Sequence, residues 1–297
     1  MTVPTLPPES RPHSMTATVN TLLQQGRQQL AASSSSPRLD AEVLLGHVMQ
    51  VDRAHLYANP ERVIEAEQAG RYAHLLGERL TGRPVAHLTG EREFWSLSFR
   101  VTPDVLSPRP ETELLVEHAL ENIPADQPCE TLDLGCGSGA IAIALATERP
   151  RCRLTATDLS NTELAVAREN AAANSCERIR FLEGSWFEPV GKQRFDLIVS
   201  NPPYIATEQP GLTDPELAFE PPQALYSGVD GLDAIRIIIQ QAPVHLQPDG
   251  LLILEHGFDQ AEWVADLLEQ AGFCHVHTRH DLAGQPRVTE GRKIAQE

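Results

Sequence analysis

The sequence predicts an α/β fold in which a mostly parallel, doubly wound sheet follows a smaller helical domain. Three observations predict this arrangement. From residue 131 onward, short apolar strand patterns alternate with helix patterns, as in sheets with helices on both faces. Residues 19–82 show only the helical period. The length, 297 residues, suits a large α/β domain with a second, smaller one.

The N-terminal part is predicted to contain three helices. The first places four apolar side chains on one face: Val19, Leu22, Leu23 and Leu30. A second apolar run begins at Asp40, and a third helix is predicted over 61–80, entered through Asn59-Pro60. Residues 1–16 are rich in proline and are expected to be a flexible tail, within which Met15 is an alternative start to Met1.

Four parts follow from these patterns: the tail over 1–16, a helical domain over 17–84, a hairpin and linker over 85–110, and an α/β domain over 111–297. Within the last part, strands are predicted over 131–135, 154–158, 179–183, 195–200 and 251–255. Helices are predicted over 111–121, 140–148, 162–174, 232–246 and 260–271. Two closing strands over 274–280 and 287–294 have only a short connection, which predicts an antiparallel hairpin at the sheet edge.

Composition narrows the class of protein. Twenty-four basic and 41 acidic side chains give a formal charge of −17, which argues against a protein that binds nucleic acid through phosphate neutralisation. Five cysteines, an odd number without a CxxC pair, favour a reducing cytoplasm over a disulfide framework. No apolar stretch approaches the ~20 residues of a membrane helix. His275, His277 and His280 lack a completing ligand set, so no metal site is predicted.

A glycine-rich loop follows the first predicted strand of the α/β domain. It reads DLGCGSG from Asp133 to Gly139, and glycines at such a position let a ligand approach the backbone at a helix N-terminus. Asp158, at the end of the next strand, is suited to hydrogen-bond a ribose diol. The loop alone leaves a dinucleotide site open, since Gly135, Gly137 and Ala140 also fit the pattern G-x-G-x-x-A.

A second motif, NPPY from Asn201 to Tyr204, follows the buried strand over 195–200. Ligands of open α/β sheets bind at the carboxyl ends of strands. Because proline has no N–H, the loop offers carbonyl acceptors, to which Asn201 adds a side-chain oxygen and Tyr204 a flat ring. That combination suits a planar NH2 group and leaves no role for NPPY in a dinucleotide-dependent oxidoreductase.

Together these motifs resemble the class I S-adenosylmethionine-dependent methyltransferases that modify planar nitrogens. The longer segments PRPETELLVE, DLGCGSGAIAIALA, EGSWFEP, FDLIVSNPPYI, FEPPQALYSGVDGLDAIR and LILEHG are similar to the release factor glutamine methyltransferase family (PrmC/HemK), from Val19 nearly to the end. The resemblance implies a Rossmann-like, mostly parallel seven-stranded sheet. It also implies a helical N-terminal domain that helps to hold a class 1 peptide chain release factor, whose GGQ glutamine is methylated on N5.

The resemblance also implies roles for individual residues. The stretch that would line the methionine side of S-adenosylmethionine comprises Asp133, Leu134, Gly135, Cys136 and Gly137. Asp158 would bind the ribose hydroxyls, and Trp186 would lie against the adenine. Asn201 would contact both cofactor and target amide. Pro202 would offer its carbonyl, and Pro203 and Tyr204 would complete the amide site. Glu111, Thr112 and Glu113 would border the cofactor pocket. Cys136 stands where many members have threonine, which is also small.

In the expected reaction the methyl group passes in line from sulfonium to amide nitrogen, leaving S-adenosylhomocysteine. Asn201 Oδ1 and the Pro202 carbonyl accept the amide hydrogens, and no general base is assigned. The same chemistry would serve glutamine methylation of a ribosomal protein or adenine-N6 methylation of DNA, although the charge of −17 disfavours DNA. A non-catalytic binding module is disfavoured by the intact motif set. The protein is expected to be a cytoplasmic monomer without membrane or direct nucleic-acid partners.

Overall fold

The computed structural model describes residues 17–208 and 215–294. The chain divides into two compact units between Leu88 and Thr89. The tail expected over 1–16, including the alternative start Met15, lies outside the described residues.

The first unit is helical, as predicted. Its helices are α1 (Val19–Leu30), α2 (Pro37–Met49), α3 (Arg53–Ala58) and α4 (Ala66–Leu80), and the division between the units falls within α5 (Val85–Thr89). The third helix predicted over 61–80 was wrong at its start. Val63 instead pairs with Thr18 in an antiparallel bridge, and the Ile64 N–H donates to the Ala17 carbonyl. Because these contacts keep residues 62–64 extended, the helix begins only at Ala66.

A buried ion pair joins two helices of this unit. Arg79 Nε lies 2.8 Å from Asp40 Oδ2, and both side chains are buried. Asp40 also accepts hydrogen bonds from Ser34 and Ser36. Nearby, Tyr72 packs against Gly26 so closely that a Cβ on Gly26 would lie 2.1 Å from the tyrosine oxygen. The helical core is therefore specified by polar partners and close packing as well as by its leucines.

The second unit begins with an antiparallel hairpin and continues as alternating strands and helices. The hairpin strands are β1 (Glu91–Phe94) and β2 (Leu97–Arg100). The helices that follow are α6 (Glu113–Asn122), α7 (Ala140–Glu148), α8 (Asn161–Ala173), α9 (Asp233–His245) and α10 (Ala261–Gln270). The strands are β3 (Glu130–Leu134), β4 (Arg153–Asp158), β5 (Arg180–Glu183), β6 (Phe195–Ser200), β7 (Leu246–Glu255), β8 (Phe273–His280) and β9 (Pro286–Lys293).

These seven strands form one sheet in the order β5-β4-β3-β6-β7-β9-β8. The pairs from β5 to β7 are all parallel, and β9 runs antiparallel to both β7 and β8. The mostly parallel α/β fold and the antiparallel hairpin at its edge are thus confirmed. The sequence did not predict that β9 would insert between β7 and β8, because hairpin strands can dock on a sheet edge in either order.

Alternate side chains of the central strands enter two separate cores. In β7, Leu251 and Ile253 pack with α6, α7 and α8, whereas Leu252 and Leu254 pack with α9 and α10. The period of two along a strand produces this division, since successive side chains point to opposite faces. Helices therefore cover both faces, as a doubly wound sheet requires.

The strand order reverses between β3 and β6. From β3 the chain proceeds to β4 on one side, whereas β6 lies on the other side of β3. At such a switch point the loops leaving two neighbouring strands separate and open a crevice at their carboxyl ends. The glycine loop leaves β3 and the NPPY loop leaves β6, so both motifs lie at this crevice.

The edge strand β8 contains a bulge. It lies between Cys274 and His277, where His275 has a φ of 51°. Such an extra residue is unpaired with the neighbouring strand and bends the strand locally.

Candidate active site

The glycine loop bends sharply between β3 and α7. Gly135 and Gly137 have φ values of 69° and 52°, which favour glycine. The N–H groups of Gly135 and Cys136 both donate to the Thr157 carbonyl, at 2.9 and 3.0 Å, and the Gly137 N–H donates to Asp158 Oδ2 at 2.8 Å. The end of β4 thereby holds the loop that leaves β3.

Only part of the predicted stretch from Asp133 to Gly137 faces open space. Gly135 and Gly137 line a cavity of about 390 Å³, whereas Leu134 is in the core. Asp133 is fully buried beneath the loop, where its Oδ2 accepts from the Ala142 N–H at 3.1 Å. Burial raises the pKa of Asp133 to about 7. Burial also raises the pKa of the Cys136 thiol, so this cysteine stays protonated and is unsuited to act as a nucleophile.

Asp158 and Trp186 line the same cavity. A Cβ added to Gly135 would lie 3.5 Å from the Trp186 ring, so the indole lies directly beside the glycine loop. The Thr157 hydroxyl donates to the Trp186 carbonyl at 3.0 Å and holds its backbone, whose φ is 47°. Glycine backbone, a carboxylate and an aromatic face thus converge on one space.

A second cavity, of about 220 Å³, adjoins the first. Leu106, Asn201 and Ala224 line both cavities, so Asn201 stands where they meet. Tyr204 and Glu255 line the second cavity, Pro203 lines the first, and Pro202 is buried. The NPPY loop therefore separates a space bordered by the glycine loop from a smaller one bordered by Tyr204.

Hydrogen bonds connect the polar groups at this junction. Asn201 Nδ2 donates to the Thr112 hydroxyl at 3.0 Å, and the Tyr204 hydroxyl lies 3.4 Å from Glu255 Oε1. Burial raises the pKa of Glu255 to about 7, while a hydrogen bond from Thr112 acts in the opposite direction. Burial also raises the pKa of Tyr204, with the charge of Glu255 adding to the effect. The two hydrogen-bonded pairs lie beside the second cavity, which the charged side chains of Arg109, Glu111 and Arg287 also line.

Arg109 and the backbone of Ser107 both bind the carboxylate of Glu220. The Arg109 guanidinium lies 3.3 Å from Glu220 Oε1, and the Ser107 N–H donates to the other oxygen of the same buried carboxylate. Gln260 secures the NPPY loop itself by donating to the Tyr204 carbonyl at 2.9 Å. The walls of the second cavity are therefore tied to distant segments of the chain.

The structure adds residues that sequence reasoning missed. Glu163 lines the first cavity and Glu255 the second, and neither was singled out. The only sequence signal for Glu255 is an acid at the end of the apolar run LILE. Thr112 was expected at the border of the cofactor pocket, and the structure places its hydroxyl on Asn201.

In the described part of the chain, no three side chains among His, Cys, Asp and Glu come together as a group able to hold a metal ion. Across residues 17–208 and 215–294, no helix combines the length and apolar character needed to cross a bilayer.

Comparisons with known proteins agree with this geometry. A model of the PrmC N-terminal domain matches residues 21–90, and a model of the methyltransferase small domain matches residues 109–215. Among solved structures, a methyltransferase from Pyrococcus furiosus is 18% identical with a TM-score of 0.52, covering 76% of this chain and 99% of that one. This likeness shows the fold alone.

Closer relatives share a single name. A release factor glutamine methyltransferase from Xylella fastidiosa is 48% identical over 262 residues, covering 88% of this chain and 95% of the relative. One from Coxiella burnetii is 44% identical over 266 residues, covering 90% and 95%. With identity of this extent across both units, the chain belongs to the release factor glutamine methyltransferase family.

Proposed function

We propose that the protein transfers a methyl group from S-adenosylmethionine to the side-chain amide nitrogen (N5) of the GGQ glutamine in class 1 peptide chain release factors. The observation that carries this proposal is the pair of adjoining cavities that meet at Asn201. One cavity is suited to a nucleoside and the other to a small planar group, and the shared residue stands between donor and acceptor.

The first cavity fits the cofactor by the chemistry of its lining. Asp158 offers carboxylate oxygens to ribose hydroxyls, Trp186 offers a flat face to adenine, and Gly135 and Gly137 leave room for the methionine portion beside the backbone. Asp133 and Cys136 would shape this loop from beneath, together with Leu134. When bound, S-adenosylmethionine supplies an electrophilic methyl group on a sulfonium.

The second cavity fits the glutamine amide. Asn201 Oδ1 and the Pro202 carbonyl would accept the two amide hydrogens, and Tyr204 would confine the amide plane. Pro203, which lines the first cavity, would border the amide site from the cofactor side. Positive charge grows on the nitrogen during transfer, so these acceptors bind the transition state more tightly than the ground state. Fixing the amide in line with the methyl group supplies further rate enhancement by orientation. The proton can leave after transfer, when the nitrogen has become strongly acidic.

The helical domain over 17–84 is proposed to help to hold the release factor. The formal charge of −17 favours a protein substrate over DNA, because a DNA methyltransferase needs cationic side chains against phosphates. All five cysteines are unpaired, which fits a reducing cytoplasm, where release factors act.

Product analysis tests the proposal. The protein is incubated with S-adenosylmethionine and, separately, with a release factor, a ribosomal protein and duplex DNA, and the products are examined by mass spectrometry. We expect a single added methyl group on the GGQ glutamine. A release factor whose glutamine is replaced by alanine is the matched control and should stay unmodified. Methylation of the ribosomal protein or DNA without methylation of the GGQ glutamine would contradict the proposal.

A further inference from the structure

Glu163 is a buried acid at the edge of the proposed cofactor cavity. It lies in the first turn of α8, where its N–H donates to the Ser160 hydroxyl at 3.4 Å. Its side chain is only 6% exposed, yet it lines the cavity together with Asp158. A carboxyl in such a place needs a partner, because burying an isolated charge is costly.

That partner is Asp158. The two carboxyls are hydrogen-bonded to each other, and burial and this contact raise the pKa of Glu163 to about 9. Glu163 is therefore a neutral carboxylic acid at pH 7. Asp158 also accepts the Gly137 N–H on Oδ2 and the Ser160 N–H on Oδ1. Because Glu163 keeps its proton, its hydroxyl is the donor in the contact with Asp158.

Asp158 alone has too few free acceptor positions to bind both hydroxyls of a ribose. An ionised carboxylate offers about four lone-pair positions. The Gly137 and Ser160 N–H groups occupy two, and the Glu163 hydroxyl occupies a third. One position remains for a ligand, whereas a ribose diol brings two hydroxyl donors. The Gln223 side chain donates a hydrogen bond to Glu163, and the carbonyl oxygen of the neutral acid has a second lone pair, which supplies a further acceptor in the same cavity.

We propose that Asp158 and Glu163 bind the ribose diol of the cofactor as one unit, with one hydroxyl donating to Asp158 and the other to the carboxylic acid of Glu163. This inference rests on the proposed use of S-adenosylmethionine. Glu163 thereby becomes a second recognition residue for the ribose, and it acts as a neutral group.

Calorimetric titration with S-adenosylhomocysteine tests the pair without turnover. Glu163→Ala removes the second acceptor. The lone pair that this change frees on Asp158 points to the vacated carboxyl position and not to the ribose, so we expect about tenfold weaker binding, as the loss of one hydrogen bond of about 1.4 kcal/mol produces. Glu163→Gln keeps a neutral donor and an acceptor oxygen, so its affinity should stay within about threefold of the wild type. Thr162→Ala, on the exposed side of the same helical turn, is the matched control and should bind as the wild type does.

Deoxyribose ligands separate a direct role from a structural one. Analogues of S-adenosylhomocysteine that lack the 2′ or the 3′ hydroxyl are titrated into the wild type and Glu163→Ala. One of the two analogues should bind to the wild type no more tightly than to Glu163→Ala, because it lacks the hydroxyl that donates to Glu163. A general disturbance of the cavity would instead weaken all three ligands equally in the variant and would overturn the inference.

Two further outcomes of the titrations would contradict the role of Glu163. Unchanged or tighter binding by Glu163→Ala would show that Asp158 binds the diol alone. A Glu163→Gln variant that binds as weakly as Glu163→Ala would show that Glu163 acts as an anion. Either result would overturn the inference while leaving the proposed function intact. Failure of the wild type to bind S-adenosylhomocysteine would instead count against the proposed cofactor itself.

Discussion

The Thr112 hydroxyl accepts a hydrogen bond from Asn201 Nδ2 across 3.0 Å, although the two residues are 89 positions apart in the chain. The Asn201 amide therefore presents its nitrogen to Thr112 and its Oδ1 elsewhere. Thr112 thus holds the Asn201 amide in this orientation.

Replacing Thr112 tests this orientation. Thr112→Val keeps the shape but removes the acceptor, so the Asn201 amide loses its fixed orientation. We expect kcat to fall about tenfold, as the loss of one hydrogen bond of about 1–1.5 kcal/mol in the transition state implies. Thr112→Ser keeps the hydroxyl and should retain most of kcat. A Thr112→Val variant with wild-type kcat in a methyl-transfer assay would contradict the orienting role.

Replacing Asn201 tests the proposed amide acceptor. Asn201→Ala removes Oδ1 from the junction of the two cavities, and we expect turnover to fall by about 10²-fold or more, by analogy with the loss of one oxyanion-hole donor. Single-turnover kinetics with saturating substrates measure this loss. Calorimetry with S-adenosylhomocysteine should show a much smaller change, and near-wild-type turnover would remove Asn201 from the mechanism.

The two parts of Tyr204 can be tested separately. Tyr204→Ala removes the ring that borders the second cavity, so KM for the release factor should rise more than the Kd for S-adenosylhomocysteine. Tyr204→Phe keeps the ring and loses only the contact with Glu255 Oε1, and its effect on KM should be smaller. Equal weakening of substrate and cofactor binding by Tyr204→Ala would argue against its assignment to the amide site.

Gly231 supports the NPPY loop from behind. Its φ is 78°, and a Cβ there would lie 2.3 Å from the Tyr204 carbonyl oxygen. Gly231→Ala should therefore displace the loop and lower both kcat and the thermal unfolding midpoint. Gly284→Ala is a matched control, because Gly284 has nearly the same φ, 77°, but no atom within 4 Å of the added Cβ. Both variants include the strain of a positive φ, so a difference between them reports the collision with Tyr204. Equal effects would show that backbone strain alone is responsible.

Glu255 should make stability depend on pH. Its folded pKa, about 7, lies above 4.5, the ordinary value for glutamate, so the folded state holds this proton more tightly than the unfolded chain. Its contribution to stability is complete below about pH 4.5 and is lost as pH rises to about 7. Glu255→Gln removes this loss, and at pH 8 we expect it to raise the free energy of unfolding by about 3 kcal/mol over the wild type.

Urea denaturation of both proteins from pH 4 to pH 8 measures this difference, which should be near zero at pH 4 and grow with pH. Glu117→Gln, an exposed site on α6, controls for the loss of one acidic side chain. A difference between wild type and Glu255→Gln that stays constant across this range would show that Glu255 titrates alike in both states.

Local pattern predicted much of this fold. The helix over 140–148 and the strand over 195–200 were predicted with the bounds that the structure has, since both are largely apolar segments with clear ends. The helix predicted over 61–80 failed at its first turn, because the partner of Val63 is Thr18, far back in the chain. Local periodicity contains no information about such a pairing.

The features of the candidate site also divide into those that local sequence determines and those that long-range packing determines. Sequence alone determined the two loops and their side chains: glycines that permit positive φ and prolines that remove donors act through local backbone chemistry, and both motifs follow strands. Only the tertiary structure decided that Glu163 bonds to Asp158, that Thr112 orients Asn201 and that Glu255 is buried beside Tyr204. These relationships depend on which strands are neighbours and which groups are shielded from water. Long-range packing decides both, so the sequence order of the residues does not reveal them.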